Sequence, residues 1–250
     1  MTKAIFIKRS KPRTLKEQLR EEYGVIKHIP HSSLEFPEIY KDRLDFALIA
    51  VFGEDYQIQN YKLTDLFVDK LFKDIEGVEV KAPYTRLYCD VEKYRDDSKE
   101  PMSKFGMGYI YTRNILNGKP YLRNQMIGGS LVDKDIDSYY EEHHKKLTLE
   151  TRKILKSGKK VLLLDLHSFS DEQARLIGKE GPFPDICIGV NGDHYDKRVL
   201  DLIIEEIKDR GLTYQINHPY SGSIIPNDLT KEEVDNICSI MIEVNKRIYL

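Results

Sequence analysis

Residues 159–169 read KKVLLLDLHSF, and this stretch decides the fold. The apolar run from Val161 to Leu164 is too short for a core helix and lacks the alternation of a half-solvated strand. It reads as a strand buried on both faces, as in a sheet flanked by helices. ICIGV (186–190) has the same character, and VIKHIP (25–30), VEVKAPY (78–84), RLYCDVE (86–92) and TYQINHP (213–219) also read as strands. The β-like SIMIEV (239–244) near the end is expected to be the last strand.

Helical patterns lie between these strands. TLKEQLREEYG (14–24) is a short charged helix closed by Gly24. LTDLFVDKLFKDIEG (63–77) places Leu63, Leu66, Phe67, Leu71 and Ile75 at helical spacing, with Thr64 as cap and Gly77 as stop. A long helix is expected from Asp137 to Lys156, and DKRVLDLIIEEIKDRG (196–211) is amphipathic. Residues from about 95 to 130 are rich in Gly, Asn, Asp, Lys and Tyr and read as a long irregular loop. Strand–helix alternation with buried-looking strands predicts an α/β class, a three-layer α/β/α sandwich around a mixed sheet, in one domain spanning 1–250.

Of the 250 residues, 40% are hydrophobic and 32% charged, a globular profile. The formal net charge of −2 gives no electrostatic case for nucleic acid. Cys89, Cys187 and Cys238 show no paired spacing, which suits a reducing compartment and argues against a cysteine-based zinc site. No stretch approaches the roughly 20 apolar residues of a membrane helix, and the apolar patch near the N-terminus is short for a secretory signal. A cytoplasmic protein acting on a small molecule is expected, without nucleic acid or membrane partners; the oligomeric state is left open.

Two histidines follow strand patterns: His31 after VIKHIP, and His167 after VLLLDL. Ligand sites in open α/β sheets lie beyond the carboxyl ends of strands, so the pair points to a shared site. Two histidines and a carboxylate form a frequent catalytic zinc set, with a fourth position for water. Glu35, on the His31 loop, and Asp65, in the LTDLF segment, are the alternatives for the carboxylate. Asp165 faces the same side of its strand as His167 and can orient an imidazole. Glu243 places an acid inside an apolar strand, either as a functional base or as an edge residue facing water.

The ordered set IPHSS, LTD, TRLYCDVEK, YYEEHHKKL, LLLDLHSF, FPDICIGVNG and IMIEVNKRIYL resembles the N-formylglutamate amidohydrolases over roughly residues 25–250. The resemblance implies a phosphorylase/hydrolase-like fold, related to zinc carboxypeptidases and aspartoacylases. It implies a single zinc held by His31, Asp65 and His167, favouring Asp65 over Glu35, with Glu243 as general base and acid and Arg86 polarising the scissile carbonyl. His144 also falls on a family position, with helix packing an equal alternative.

One departure stands out. Where the family has Asp-Leu-Asn-Arg, a clamp for a substrate carboxylate, this chain has Asp90-Val91-Glu92-Lys93. Lys93, Arg95, Tyr109 and Arg123 are therefore the expected substrate contacts, and Tyr111 is a further pocket candidate. The expected activity is zinc-dependent hydrolysis of the amide of an N-acyl, including N-formyl, amino acid or a small peptide-like substrate. The alternatives are a ligand-binding homologue with altered catalysis and a carboxypeptidase or esterase built on the same core.

Overall fold

The computed structural model describes residues 14–38, 49, 52–121 and 130–250. Six strands form one sheet: β1 (Tyr23–Ile29), β2 (Val78–Lys81), β3 (Lys160–Phe169), β4 (Ile186–Val190), β5 (Tyr214–Ile216) and β6 (Ile237–Asn245). Their spatial order is β2-β1-β3-β6-β4-β5. β2, β1, β3 and β6 run parallel, whereas β4 is antiparallel to β6 and carries β5 parallel to itself. The sheet is therefore mixed, and the KKVLLLDLHSF strand sits inside it, between β1 and β6.

The helices are α1 (Leu15–Glu22), α2 (Tyr56–Leu63), α3 (Val68–Leu71), α4 (Ser130–Lys156), α5 (Asp171–Leu176), α6 (Lys197–Asp209) and α7 (Lys231–Val234). Successive strand residues point to opposite faces, and the two faces have separate cores. On one, Leu164, Leu166, Ile188, Ile240, Ile242 and Val244 pack with Leu19 of α1, Val68 of α3 and Val199, Leu200 and Ile207 of α6. On the other, Ile26, Val80, Val161, Leu163 and Ile237 pack with Leu147 of α4. Helices thus cover both faces, which is the expected three-layer α/β/α arrangement. Among the described residues, no helix is long and apolar enough to cross a membrane.

Three sequence expectations are corrected. Gly24 does not close the first helix: it lies in β1, where an added Cβ would come within 2.6 Å of Ile154 Cγ2. The 63–77 segment is not one helix. Thr64 is the C-cap of α2, giving its N–H to Asn60 O, and the Asp65 N–H turns back to His31 O at 2.8 Å. RLYCDVE is not a strand. Leu87, Tyr88, Cys89, Asp90 and Val91 are all buried, but Tyr88 N–H bonds Thr85 O and Asp90 N–H bonds Tyr109 O instead of a ladder.

Gly189 in β4 fits only because it has no side chain, since a Cβ would stand 2.1 Å from Gly222 O and 2.4 Å from Met241 Cε. We expect Gly189→Ala to destabilise the chain by about 1–3 kcal/mol, the usual cost of overpacking. A urea unfolding midpoint unchanged from wild type would contradict this packing.

Candidate active site

The face covered by α4 carries the polar residues. His28 shares the parity of Ile26, Asp165 and His167 that of Leu163, and Glu243 that of Ile237. Register sets them side by side: His28 is the Cα partner of Asp165, and His167 is the partner of Glu243. His31 lies just past the end of β1, while His167 lies within β3, two residues before its last. Because β1, β3 and β6 are parallel, these groups gather at one carboxyl edge, where ligand sites of such sheets form.

The His31–Asp65 backbone bond brings the third element in. Both Nδ1 atoms then face one carboxylate oxygen: Asp65 Oδ2 lies 3.6 Å from His31 Nδ1 and 3.3 Å from His167 Nδ1. The opposite nitrogens meet other acids, His31 Nε2 at 2.7 Å from Asp90 Oδ1 and His167 Nε2 at 2.9 Å from Asp165 Oδ1. Ser168 Oγ–H donates to Asp65 Oδ1 at 3.1 Å, fixing the carboxylate's other oxygen. Asp65 is buried, whereas Glu35 is exposed on its loop, so the structure gathers Asp65 with the histidines and leaves Glu35 outside.

The donor atoms suit a cation. One atom from each of His31, Asp65 and His167 lies within 4.8 Å of the others. His31 Nδ1 is buried and has no hydrogen-bond partner, a costly state unless something occupies the space it faces. Two other trios satisfy the same spacing, His31 with Asp90 and Glu92, and His167 with Asp165 and Glu92. They draw on imidazole nitrogens already bonded to Asp90 and Asp165. In the Nδ1 set, His31 Nδ1 has no hydrogen-bond partner and His167 Nδ1 meets Asp65, itself a member of the set, while the two outer carboxylates orient the rings.

Arg86 is set beside this group by Asp90, donating from Nε at 3.0 Å and Nη2 at 2.7 Å to the same oxygen, Oδ2. Tyr111 O–H donates to that oxygen too, at 3.2 Å, so Tyr111 buttresses Asp90 from the core. Burial pushes the Asp90 carboxyl up, but Arg86 and His31 outweigh it and hold it well below the usual range. Glu243 has no such partner: its Oε2 is buried and without a hydrogen bond. Burial raises its pKa to about 8, against the pull of His167 and with the push of Asp65 and Glu92. The edge-strand reading of Glu243 is thereby excluded, since β6 is interior and the residue is 8% exposed.

His31, Asp65, Arg86, Glu92, Lys93, His167 and Glu243 line one cavity of about 780 Å³. The family model for N-formylglutamate amidohydrolase matches residues 23–250. The chain belongs to the N-formylglutamate amidohydrolase family. A crystal structure of N-formylglutamate amidohydrolase from Ralstonia eutropha JMP134 is similar at TM-score 0.70 and 20% identity, over 91% of this chain and 84% of that one. A solved gene product of Agrobacterium tumefaciens is similar at TM-score 0.60 and 16% identity, over 90% of this chain and 80% of that one. At these identities the likeness shows the fold, and no curated protein matches the chain.

The amidohydrolase family membership makes the remaining placements informative. Lys93 lines the cavity, but Arg95 does not; it pairs with Asp137 and with Glu141 on α4. Tyr109 likewise packs against Tyr140, with ring centroids 5.8 Å apart, instead of reaching the cavity wall. Arg123 lies outside the described residues. His144 donates or accepts at both nitrogens, meeting Val91 O at 2.8 Å and Asn227 Nδ2 at 3.1 Å, which ties α4 to two loops. Sequence reasoning missed how close Glu92 comes: its Oε1 is 3.1 Å from His167 Nε2 and its Oε2 3.6 Å from His31 Nε2. It also missed His28 and His143, whose burial nothing in the local pattern announces.

Asp90 serves Arg86, His31 and Tyr111 together, so neutralising it leaves a buried guanidinium unmatched. We expect Asp90→Asn to cost about 3 kcal/mol, as when one member of a buried pair is removed. Thermal unfolding within a degree of wild type would show that the pair matters little.

Proposed function

We propose that this chain is a zinc-dependent amidohydrolase that cleaves the amide of an N-acyl amino acid or small peptide-like substrate. The observation that supports it best is the paired vacancy of hydrogen bonding: His31 Nδ1 and Glu243 Oε2, both buried, face the same cavity without partners. A metal at the first and a water or amine proton at the second would complete them. His31, Asp65 and His167 would hold the zinc, two nitrogens and an oxygen being a frequent catalytic set with one position left open. When bound, zinc supplies Lewis acidity toward water and the substrate carbonyl.

The chain's own groups do the rest. Glu243 takes the proton from the attacking water and returns it to the departing amine nitrogen, a role suited to a buried carboxyl with an oxygen that has no other partner. Arg86, fixed by Asp90, places a cation where negative charge develops on the carbonyl oxygen, worth most in a site that excludes water. Lys93 is the wall cation nearest the altered clamp, and its Nζ lies 3.5 Å from Glu92 Oε2. The three cysteines are free and buried, which fits a reducing compartment such as the cytoplasm.

The test separates the metal from the proton carrier. Metal analysis of the purified chain should find zinc, and His167→Ala should lose it. Glu243→Gln should keep the zinc while hydrolysis across a panel of N-formyl and N-acetyl amino acids falls by about 10²–10⁴-fold. Unaltered turnover in that variant would remove Glu243 from the mechanism. A wild-type chain that binds zinc and panel compounds but turns none over would favour the ligand-binding alternative.

A further inference from the structure

One wall of the cavity is apolar, and the chemistry above makes no use of it. Met102, Phe105 and Met107 line the cavity from a single turn in the segment after β2. Met102 O accepts the Phe105 N–H at 3.0 Å and the Met107 N–H at 3.2 Å, which closes the turn. Gly106 is left-handed there, φ 78°, and a Cβ on it would stand 2.7 Å from Arg113 Cβ. Glu100 anchors the turn. Only 7% exposed, it accepts the Met102 N–H at Oε1, 2.9 Å, and the Tyr94 N–H at Oε2, 3.2 Å. This acid lines the cavity, but its oxygens are committed to the backbone.

Ile115, Ile224 and Ile225 extend this lining. Asn114 holds Ile115 in place, donating to Asp55 at 2.9 Å and accepting the Leu116 N–H at 2.8 Å. Ile224 is held by its N–H, 3.2 Å from Asp165 Oδ2. Met107 and Ile115 pack against the loop core of Leu87 and Val91, and Ile224 and Ile225 against the core under α4. Two cores therefore surface in the cavity, with these side chains half-buried and Phe105 36% exposed. A hydrocarbon group that displaces water from such a wall gains about fourfold in affinity for each methylene seated. At about 780 Å³ the cavity falls among pockets of roughly 300–1,000 Å³ that take drug-sized ligands. An amide with only small groups on either side leaves most of the wall wet.

We propose that the Met102–Met107 turn is a specificity wall for an uncharged hydrocarbon group, several carbons long, attached beside the scissile amide. The proposal rests on the reading of this cavity as a site of amide hydrolysis, and it names the substrate class within that reading. Either end of the amide supplies such a group, the amino-acid side chain or the acyl chain, and the chemistry that recognises it is the same. Methionine suits this wall, because its flexible thioether fills irregular gaps against an apolar surface. A carboxylate at the end of the group loses water against carbon without compensation. Lys104, exposed and with Nζ 5.0 Å from the Phe105 ring centroid, is the cation of the turn that would meet such an anion instead. A carboxylate-ended chain is therefore the deciding comparison.

Two homologous series test it on the zinc-loaded full chain. N-formyl-alanine, -norvaline and -norleucine lengthen the side chain, and N-acetyl-, N-butanoyl- and N-hexanoyl-glycine lengthen the acyl group. N-formylglutamate and N-succinylglycine end the same two chains in a carboxylate. Calorimetry reads binding, and steady-state kinetics reads kcat/KM. We expect affinity and kcat/KM to rise about fourfold per methylene along one series, which identifies the end that is seated. The carboxylate-ended member of that series should fall about tenfold below its alkyl counterpart. Met107→Ser and Phe105→Ser should flatten the rise to about twofold per methylene or less, whereas Met107→Leu should keep it. Thermal unfolding establishes that each variant is folded, and the partly exposed Phe105 carries the test should Met107→Ser not fold. The proposal is overturned if both series are flat, if the carboxylate-ended compounds match the alkyl ones, or if the serine variants lower every member of a series by the same factor. Binding that rises along a series without turnover of any compound overturns the amidohydrolase reading and leaves the apolar wall standing. Turnover with two flat series does the reverse.

Discussion

Charge buried beneath one edge of the sheet is the constraint on which the rest of this structure depends. Asp65, Asp90, Asp165 and Glu243 all lie at the α4 face, each at most 8% exposed. An ionised carboxylate there is tolerated only with partners. Asp90 has Arg86, His31 and Tyr111; Asp165 has two imidazoles and a backbone N–H; Asp65 has the Ser168 hydroxyl, His167 and the charge of Lys246. Glu243 alone of the four has an oxygen left over. The groups that balance the first three arrive from β1, β3 and the segments that follow β1, β2, β5 and β6, so solving the electrostatics also assembles the site.

The backbone supports that assembly with few devices. Parallel register puts His28 beside Asp165 and His167 beside Glu243 without any loop adjustment. One hydrogen bond, Asp65 N–H to His31 O, delivers the remaining carboxylate. Phe67 takes a left-handed conformation, φ 61°, immediately before α3, which lets the chain leave the site and return Val68 to the opposite core. A bulky residue in that region carries strain, and here it sits two positions from a site carboxylate.

Much of this was legible in the sequence, for physical reasons that differ by element. The apolar runs of β3, β4 and β6 are long because both faces are covered, so their burial shows in composition alone. Asp165, His167 and Glu243 stood out as polar breaks in those runs. The 63–77 and 86–92 segments misled because an apolar pattern reports side chains, not backbone bonding. Leu87, Tyr88, Cys89 and Val91 bury together in a loop core, and Leu63 and Val68 bury from two short helices with Leu66 in the turn between them. His28 and His143 left no signal, since each is meaningful only through a partner more than 100 residues away.

The Glu92–Lys93 wall of the cavity follows a different logic from the His31–Asp65–His167 group. In place of a clamp with a free cation, Glu92 and Lys93 stand 3.5 Å apart and largely cancel one another. Glu92 also lies against both histidines, so its charge belongs partly to the ligand cluster. Any anionic group entering the cavity would have to displace Glu92 from Lys93 or be met elsewhere on the wall, where Lys104 and Lys179 are the other lysines. Displacement costs an ion pair largely shielded from water, whereas Lys104 and Lys179 are exposed and keep their hydration.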